Sequence, residues 1–212
     1  MTTISDLRNI RLEKLNSLIK LGIDPYPPKS QRTHMVEDIL ANFEKLEGEE
    51  VVATGRIASV REHGKLIFLD LKDSSGKIQL YIKEPNIQNP DHKKSELGFS
   101  ELKLLDYGDF IEGAGKVTKT PRGEISIETS RLRLLSKSIR PLPDTWEGFS
   151  DIEERYRKRY IDFLLNERAK KVIDARWKIT KEVRKFLWDK GFEEVETPIL
   201  QPLYGGTNAK PF

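Results

Sequence analysis

Phe68 and Gln79 are the side chains of this sequence best placed to meet a flat, hydrogen-bonding ligand. In Leu66-Ile67-Phe68-Leu69-Asp70-Leu71, inward Ile67, Leu69 and Leu71 leave Phe68 outward, on the face it shares with Asp70. In the next run, Ile78, Leu80 and Ile82 alternate with Lys77, Gln79, Tyr81 and Lys83, the period-2 signature of a strand with one buried face. Further on, Ile125 and Ile127 alternate with Glu124, Ser126 and Glu128. Phe68, Gln79 and Glu124 are therefore expected to be exposed on one face of a sheet. A lone outward aromatic is most often a packing residue under a loop. It is also what base stacking requires, because every nucleobase offers a π-face.

Other chemistry is sparse. There is no cysteine, which excludes disulfides and thiolate metal sites. His34, His63 and His92 are scattered, without metal-ligand spacing. Neither a P-loop nor a Gly-x-Gly-x-x-Gly fingerprint occurs. Arg155-Tyr156-Arg157-Lys158-Arg159-Tyr160 has the composition of a nucleic-acid patch. Tyr156, Tyr160, Phe163 and Leu164 share one helical face, however, so a helix with a packed side and a solvated basic side accounts for the run equally well and is the preferred reading. The net charge is only +3, and residues 1–50 carry 7 basic against 9 acidic side chains. That balance permits a nucleic-acid partner without demanding one. The segment MTTISDLRNI has no apolar signal core, and no run reaches membrane-spanning length, so a cytoplasmic location and no membrane partner are expected.

The elements that would hold these residues can be taken in order. Ile4, Leu7, Arg11, Leu15 and Leu18 follow helical spacing, with Gly22 placed to end the helix. After the proline-rich Asp24–Pro28, Thr33 is a plausible N-cap for a second helix marked by Val36, Ile39, Leu40, Phe43 and Leu46. Three strands follow: Val51–Val60, where Gly55 marks a bulge or bend that lets one strand serve two sheet edges, then Leu66–Leu71 and Lys77–Lys83. Turns are expected at Glu62-His63-Gly64 and at Asp73–Gly76. A polar excursion, a short helix around Phe99–Leu105 and a hairpin of Asp109–Thr118 with Gly123–Leu135 complete this part. Three strands, a helix and two strands is the order of an OB-fold, the five-stranded Greek-key barrel that binds oligonucleotides across its second and third strands. Strand count alone leaves an SH3-like or other small barrel open. Ile139–Pro143 reads as a stiff linker. A long helix then carries Val172, Ile179, Val183 and Phe186 in register and ends at Gly191, before a strand over Phe192–Thr197.

Lys190-Gly191-Phe192-Glu193-Glu194-Val195-Glu196-Thr197-Pro198-Ile199-Leu200 closely resembles motif 1 of the class II aminoacyl-tRNA synthetases. Flanking stretches narrow the resemblance to the lysyl-tRNA synthetase family: Arg11–Leu15, Gly22–Pro27, Gly76–Tyr81, Arg140–Pro143, Arg155–Tyr160 and Gly205–Phe212. Their collinear order along nearly the whole chain is what makes the match specific. Two departures are visible. The closing loop of the family reads Gly-Gly-Ala-x-Ala-Arg-Pro-Phe, whereas Thr207 and Lys210 replace its Ala and Arg here, and Lys does not reproduce the planar fork of Arg. Motif 2, with its Phe-Arg-x-Glu, and motif 3 do not occur in these 212 residues.

The resemblance implies an α+β organisation: a helical extension at 1–48, an OB-fold anticodon-binding domain at 49–138, a linker at 139–149, and at 150–212 the start of a class II α/β catalytic domain. It implies the N-terminal portion of a lysine–tRNA ligase using ATP and Mg2+, with tRNA-Lys and lysine as partners in a homodimer. It carries the anticodon-reading role onto Arg61, Phe68, Gln79 and Glu124, with Phe68 stacking a base and Gln79 offering donor and acceptor to a uracil edge. Gly205 and Gly206 would belong to a substrate loop, and Phe192 and Pro198 to a dimer-forming element spanning Lys181–Leu200. No catalytic residue and no metal ligand is assigned, and the 212 residues alone are expected to be inactive in aminoacylation. The alternatives are a non-catalytic RNA-binding or regulatory paralogue and an aspartyl- or asparaginyl-tRNA synthetase. The Pro-Tyr-Pro lead-in and the Gly-Gly-x-x-Ala-x-Pro-Phe close argue against the latter.

Overall fold

The computed structural model describes residues 3–143 and 151–199, which divide into two compact units, 1–142 and 143–212. The first begins with helix α1 (Ile4–Lys20), opened by a reciprocal pair in which Thr3 Oγ1 accepts from the Asp6 amide and the Asp6 carboxylate accepts from the Thr3 amide. Gly22, at φ +80°, lets the chain turn back so that its amide reaches Ile19 O and that of Ile23 reaches Leu18 O, both at 3.0 Å. Arg11, which the spacing places on the apolar stripe, is buried as an ion and not as a spacer. Its guanidinium donates to the carbonyls of Ser138 at 3.0 Å, Arg140 at 3.3 Å and Tyr107 at 3.1 Å, fastening α1 to the end of the barrel.

The second expected helix is two, α2 (Val36–Ala41) and α3 (Phe43–Leu46), broken at Asn42. Thr33 is not its cap. Its amide donates to Val52 O and its hydroxyl accepts from the Val52 amide, an attachment to strand β1 that outcompetes capping. The free amides of Val36 and Glu37 are instead met by Asp73 and Ser75 in the loop between the second and third strands.

Five strands close the barrel: β1 (Glu50–His63), β2 (Leu66–Lys72), β3 (Lys77–Lys83), β4 (Phe110–Lys119) and β5 (Ile125–Ser136), in the order β1-β2-β3-β5-β4. Residues 50–56 of β1 pair with β4 and residues 56–63 with β2, so one strand does serve two edges. The register shift lies between Ile57 and Ser59, just past Gly55. Gly55 itself is required because a Cβ there would meet the Lys72 carbonyl oxygen at 2.6 Å. β1 runs three residues beyond its expected end, because His63 pairs directly with Leu66 across Gly64-Lys65. Glu62 and His63, expected in the turn, are thereby strand residues, and the turn shrinks to Gly64-Lys65. The helix expected near Phe99–Leu105 is a 3-10 helix, Phe99–Leu104. Inside, Ile57, Leu69, Leu80, Ile82, Ile111 and Ile127 are fully buried, and Leu18, Ile23, Val36 and Ile39 join the same core from the helical lead-in.

The second unit holds α4 (Ile152–Arg157), α5 (Arg159–Leu165) and α6 (Glu167–Asp189). The basic run is not one helix with a packed side, since the helix breaks at Lys158 and Tyr156 and Tyr160 are exposed. Nor is it a patch of free cations. Arg155 and Arg159 meet the buried Asp162 at 2.8 and 2.6 Å, while Arg157 and Lys158 meet Glu153 and Glu154 one turn back. The long helix ends before Gly191 as expected. The strand expected over Phe192–Thr197 is not formed, because among the described residues nothing pairs with it, and a lone segment cannot satisfy a ladder. Among the described residues no helix is long and apolar enough to cross a membrane.

Candidate nucleic-acid interface

On the outer surface of the barrel, strand register lays the candidate residues out in rows. Arg61, Phe68 and Tyr81 are consecutive partners across β1, β2 and β3. Asp70, Gln79 and Ser126 form the neighbouring row across β2, β3 and β5. Side chains on one face of paired strands lie close enough to interact, and they do. Phe68 stacks on Tyr81 with centroids 5.2 Å apart and planes at 19°, while His63 meets its edge at 6.2 Å. The Arg61 guanidinium lies 6.0 Å from the Phe68 centroid and is tethered at 3.1 Å by Asp70, which also takes Lys77 at 3.2 Å.

A cavity of about 400 Å³ opens over these rows. Arg61, Phe68, Gln79 and Glu124, the four residues singled out in the sequence, all line it. So do Tyr81, His63 and Leu66 on the strands and Thr120, Pro121 and Arg122 in the β4–β5 turn. Tyr81 shares the outward phase of Gln79, so its position was legible. The turn residues carry no such signal, because only closure of the barrel brings Thr120–Arg122 beside β3.

The expectation that Phe68, Gln79 and Glu124 are all exposed needs correction. Glu124 is exposed and Phe68 is half-buried under its neighbours, but Gln79 is only 4% exposed. Its carboxamide is held at both ends: Nε2 donates to Glu124 Oε2 at 2.9 Å, and Oε1 accepts from Ser126 Oγ at 3.1 Å. Outward phase sets which face a side chain occupies, and neighbours on that face decide whether solvent reaches it. Beyond Tyr81, Lys83 approaches the ring at 4.9 Å and Glu128 at 2.8 Å. That hydrogen bond holds the Lys83 ammonium above its usual range and the Glu128 carboxylate below its own.

The residues predicted elsewhere behave differently. Phe192 and Pro198 are exposed in the second unit, and Gly205 and Gly206 lie outside the described residues. Among the described residues, no three His, Cys, Asp or Glu side chains group in a way that could hold a metal ion, so Mg2+ finds no matching ligand set among them.

The arrangement as a whole is an aromatic ledge, a hydrogen-bonding edge and a tethered cation around one concavity, which suits an unstacked nucleobase and its phosphate. Comparison with known proteins agrees. The family model described as "OB-fold nucleic acid binding domain" matches residues 51–135, and that described as "tRNA synthetases class II (D, K and N)" matches residues 151–212. Proteins named lysine–tRNA ligase match along almost the whole chain. That of Carboxydothermus hydrogenoformans is 44% identical over 99% of this chain and 41% of its own length. That of Syntrophomonas wolfei is 46% identical over 99% and 41%, and that of Clostridium perfringens 42% identical over 99% and 40%. The chain thus spans about two-fifths of the length of the curated relatives it matches. Over that stretch it is similar to proteins named lysine–tRNA ligase, with one part matching an OB-fold of the nucleic-acid-binding kind and the other a class II synthetase segment.

Proposed function

We propose that the barrel binds the anticodon arm of tRNA-Lys and that Arg61, Phe68, Gln79 and Glu124 contact its bases. The observation that carries this reading is their convergence: four residues spread over 64 positions of sequence, on β1, β2, β3 and just before β5, line one cavity. The Phe68–Tyr81 pair offers a stacking surface, Gln79 and Glu124 a polar edge, and Arg61 a donor to a carbonyl or phosphate. The test is a titration at fixed salt with an anticodon stem-loop carrying UUU. Phe68→Ala is expected to weaken binding by about 1–3 kcal/mol, the worth of one stacked base. Lys93→Ala, a charge on the short 3-10 helix His92–Lys94 away from the cavity lining, is expected to remove only a small salt-dependent contribution. Equal losses would count against stacking.

The wider activity belongs to the same proposal: ligation of lysine to tRNA-Lys, driven by ATP with Mg2+, by a cytoplasmic enzyme. No residue of these 212 is assigned to ATP. The chain alone is therefore expected to show no lysine-dependent ATP–pyrophosphate exchange, and measurable exchange by the purified chain would refute that. Lys181–Leu200 is proposed as a dimerisation element acting about a two-fold axis, with Phe192 and Pro198 in the contact. The exposed apolar side chains of Phe186, Leu187, Trp188, Phe192, Val195 and Ile199 support it. Sedimentation over a concentration series decides: a monomer at every concentration, with Trp188 shielded from quencher, would refute the dimer.

A further inference from the structure

His63 lines the cavity but has no part in the contacts proposed above. Strand register settles which side of the aromatic ledge it occupies. Because β1 continues to His63, the imidazole shares the outward phase of Arg61, and the tight turn at Gly64-Lys65 sets it opposite Leu66. Leu66 in turn faces Lys83 on β3. The outer surface therefore carries three parallel rows. Arg61, Phe68 and Tyr81 form the middle one. Asp70 and Gln79 lie on one side of it, with Glu124 bound to Gln79 at 2.9 Å, and His63, Leu66 and Lys83 lie on the other. The ring of His63 stands edge-on to that of Phe68, with centroids 6.2 Å apart and planes at 70°.

These rows give a stacked nucleotide a direction. A pyrimidine carries its sugar on the side of the ring away from its hydrogen-bonding edge. A base lying on Phe68 with that edge toward Gln79 therefore sends its ribose and phosphate toward the opposite row. The exposed Glu124 carboxylate disfavours a phosphate on its own side. On the opposite row Leu66 is apolar and the Lys83 ammonium is taken by Glu128 at 2.8 Å, which leaves the exposed imidazole to meet the anion. The charged groups around it are Arg61 on its own strand and Arg122 and Glu124 between β4 and β5. Lys65 pairs with Glu84 at 3.2 Å, and Glu62 takes the opposite phase. Among the lining side chains, the imidazole is the one whose charge changes between about pH 5 and 8. We propose that His63 binds a backbone phosphate of the RNA and takes up a proton as it does so. This rests on the anticodon reading above. A site that holds an anion better when protonated gains affinity as pH falls through the imidazole range, and the bound anion favours the proton in return.

The test titrates the whole 212-residue chain with a UUU anticodon stem-loop from about pH 6 to about pH 8, at several salt concentrations. Unmodified RNA does not titrate in that interval. Affinity is expected to fall several-fold from the acid to the alkaline end. The slope of log affinity against log salt is expected to become shallower by about 0.7, one phosphate contact on a single strand. Calorimetry near neutral pH in PIPES and in ACES, buffers of unlike ionisation heat, is expected to show net proton uptake on binding. His63→Gln is expected to bind at every pH as the unmodified chain does at the alkaline end, without uptake. His63→Lys, which keeps a charge throughout, is expected to hold the acid-end affinity across the range. His34→Gln and His92→Gln, changed outside the cavity lining, are expected to keep the unmodified profile. A pH-independent affinity in the unmodified chain, or a profile that survives in His63→Gln, overturns the inference while leaving the anticodon reading intact. If the chain bound no stem-loop at any pH, the two would fall together. Should His63→Gln lose its circular dichroism spectrum, His63→Lys decides: a flat profile supports the inference and an unchanged one overturns it.

Discussion

The two units of this chain spend their apolar residues in opposite ways. In the first, Leu80, Ile82, Ile111 and Ile127 vanish into a closed barrel, and helices α1 to α3 add their own apolar faces to the same core. In the second, α6 carries Val172, Trp177, Ile179, Val183, Phe186 and Trp188, every one exposed. Among its described residues the most buried is an ion, Asp162, bridging Arg155 and Arg159. The lesson is one of geometry. A sheet that closes on itself supplies both walls of a core, whereas a single amphipathic helix supplies one and needs a second surface. Stability is therefore expected to reside in the first unit, and capacity for association in the second.

The largest expected effect tests the core. Leu80→Ala should lower the stability of the first unit by about 2–5 kcal/mol, because the cavity left behind cannot collapse in a closed barrel. Val183→Ala, made on the exposed face of α6, should change stability by no more than about 0.5 kcal/mol. The units can be read separately, since the three tryptophans, Trp146, Trp177 and Trp188, all lie beyond residue 142. Urea unfolding followed by far-UV circular dichroism and by tryptophan fluorescence should therefore give different midpoints. Comparable losses for both substitutions would abolish the contrast.

Next in size is the ionic centre of the second unit. Asp162→Ala removes the acceptor of Arg155 and Arg159 and is expected to cost about 1–3 kcal/mol in the fluorescence-detected transition. The loss stays below that of a fully buried pair because both arginines remain about one-third exposed and can rehydrate. A negligible change would mean that α4, α5 and α6 are held by something other than this cluster.

A smaller, pH-dependent effect belongs to the attachment of α1. Burial alone would raise the Asp106 carboxyl, but hydrogen bonds from Lys137 and Lys14 outweigh it and hold the group below its usual range. A depressed folded value means a contribution fully present above the unfolded carboxylate range, around pH 4, and lost as pH falls through the folded value. Asp106→Asn should thus lower the urea midpoint of the first unit at pH 7, with the gap from the unmodified chain closing in acid. A gap independent of pH would assign Asp106 a purely steric role.

How much of this was legible beforehand depended on the range of the interaction. Strand alternation placed Ile78, Leu80 and Ile82 inward and Lys77–Lys83 as β3 to the residue, because the two faces of a strand follow from backbone geometry alone. Gly22 ended α1 for an equally local reason. The outward set of Phe68, Gln79 and Glu124 followed from phase, and family resemblance added Arg61. Only the tertiary structure could decide what that outward face looks like. The parallel pairing of β3 with β5 sets Gln79 against Ser126, 47 residues away, and turns an outward glutamine into a buried, doubly held one. The same closure brings Thr120–Arg122 to the cavity rim. Arg11 has a helical spacing that fits an apolar stripe, and only the carbonyls of Tyr107, Ser138 and Arg140, between 96 and 129 residues on, show why a cation belongs there. The segment after Gly191 makes the converse point. A strand pattern states a preference, but a strand exists only where another chain segment completes its hydrogen bonds.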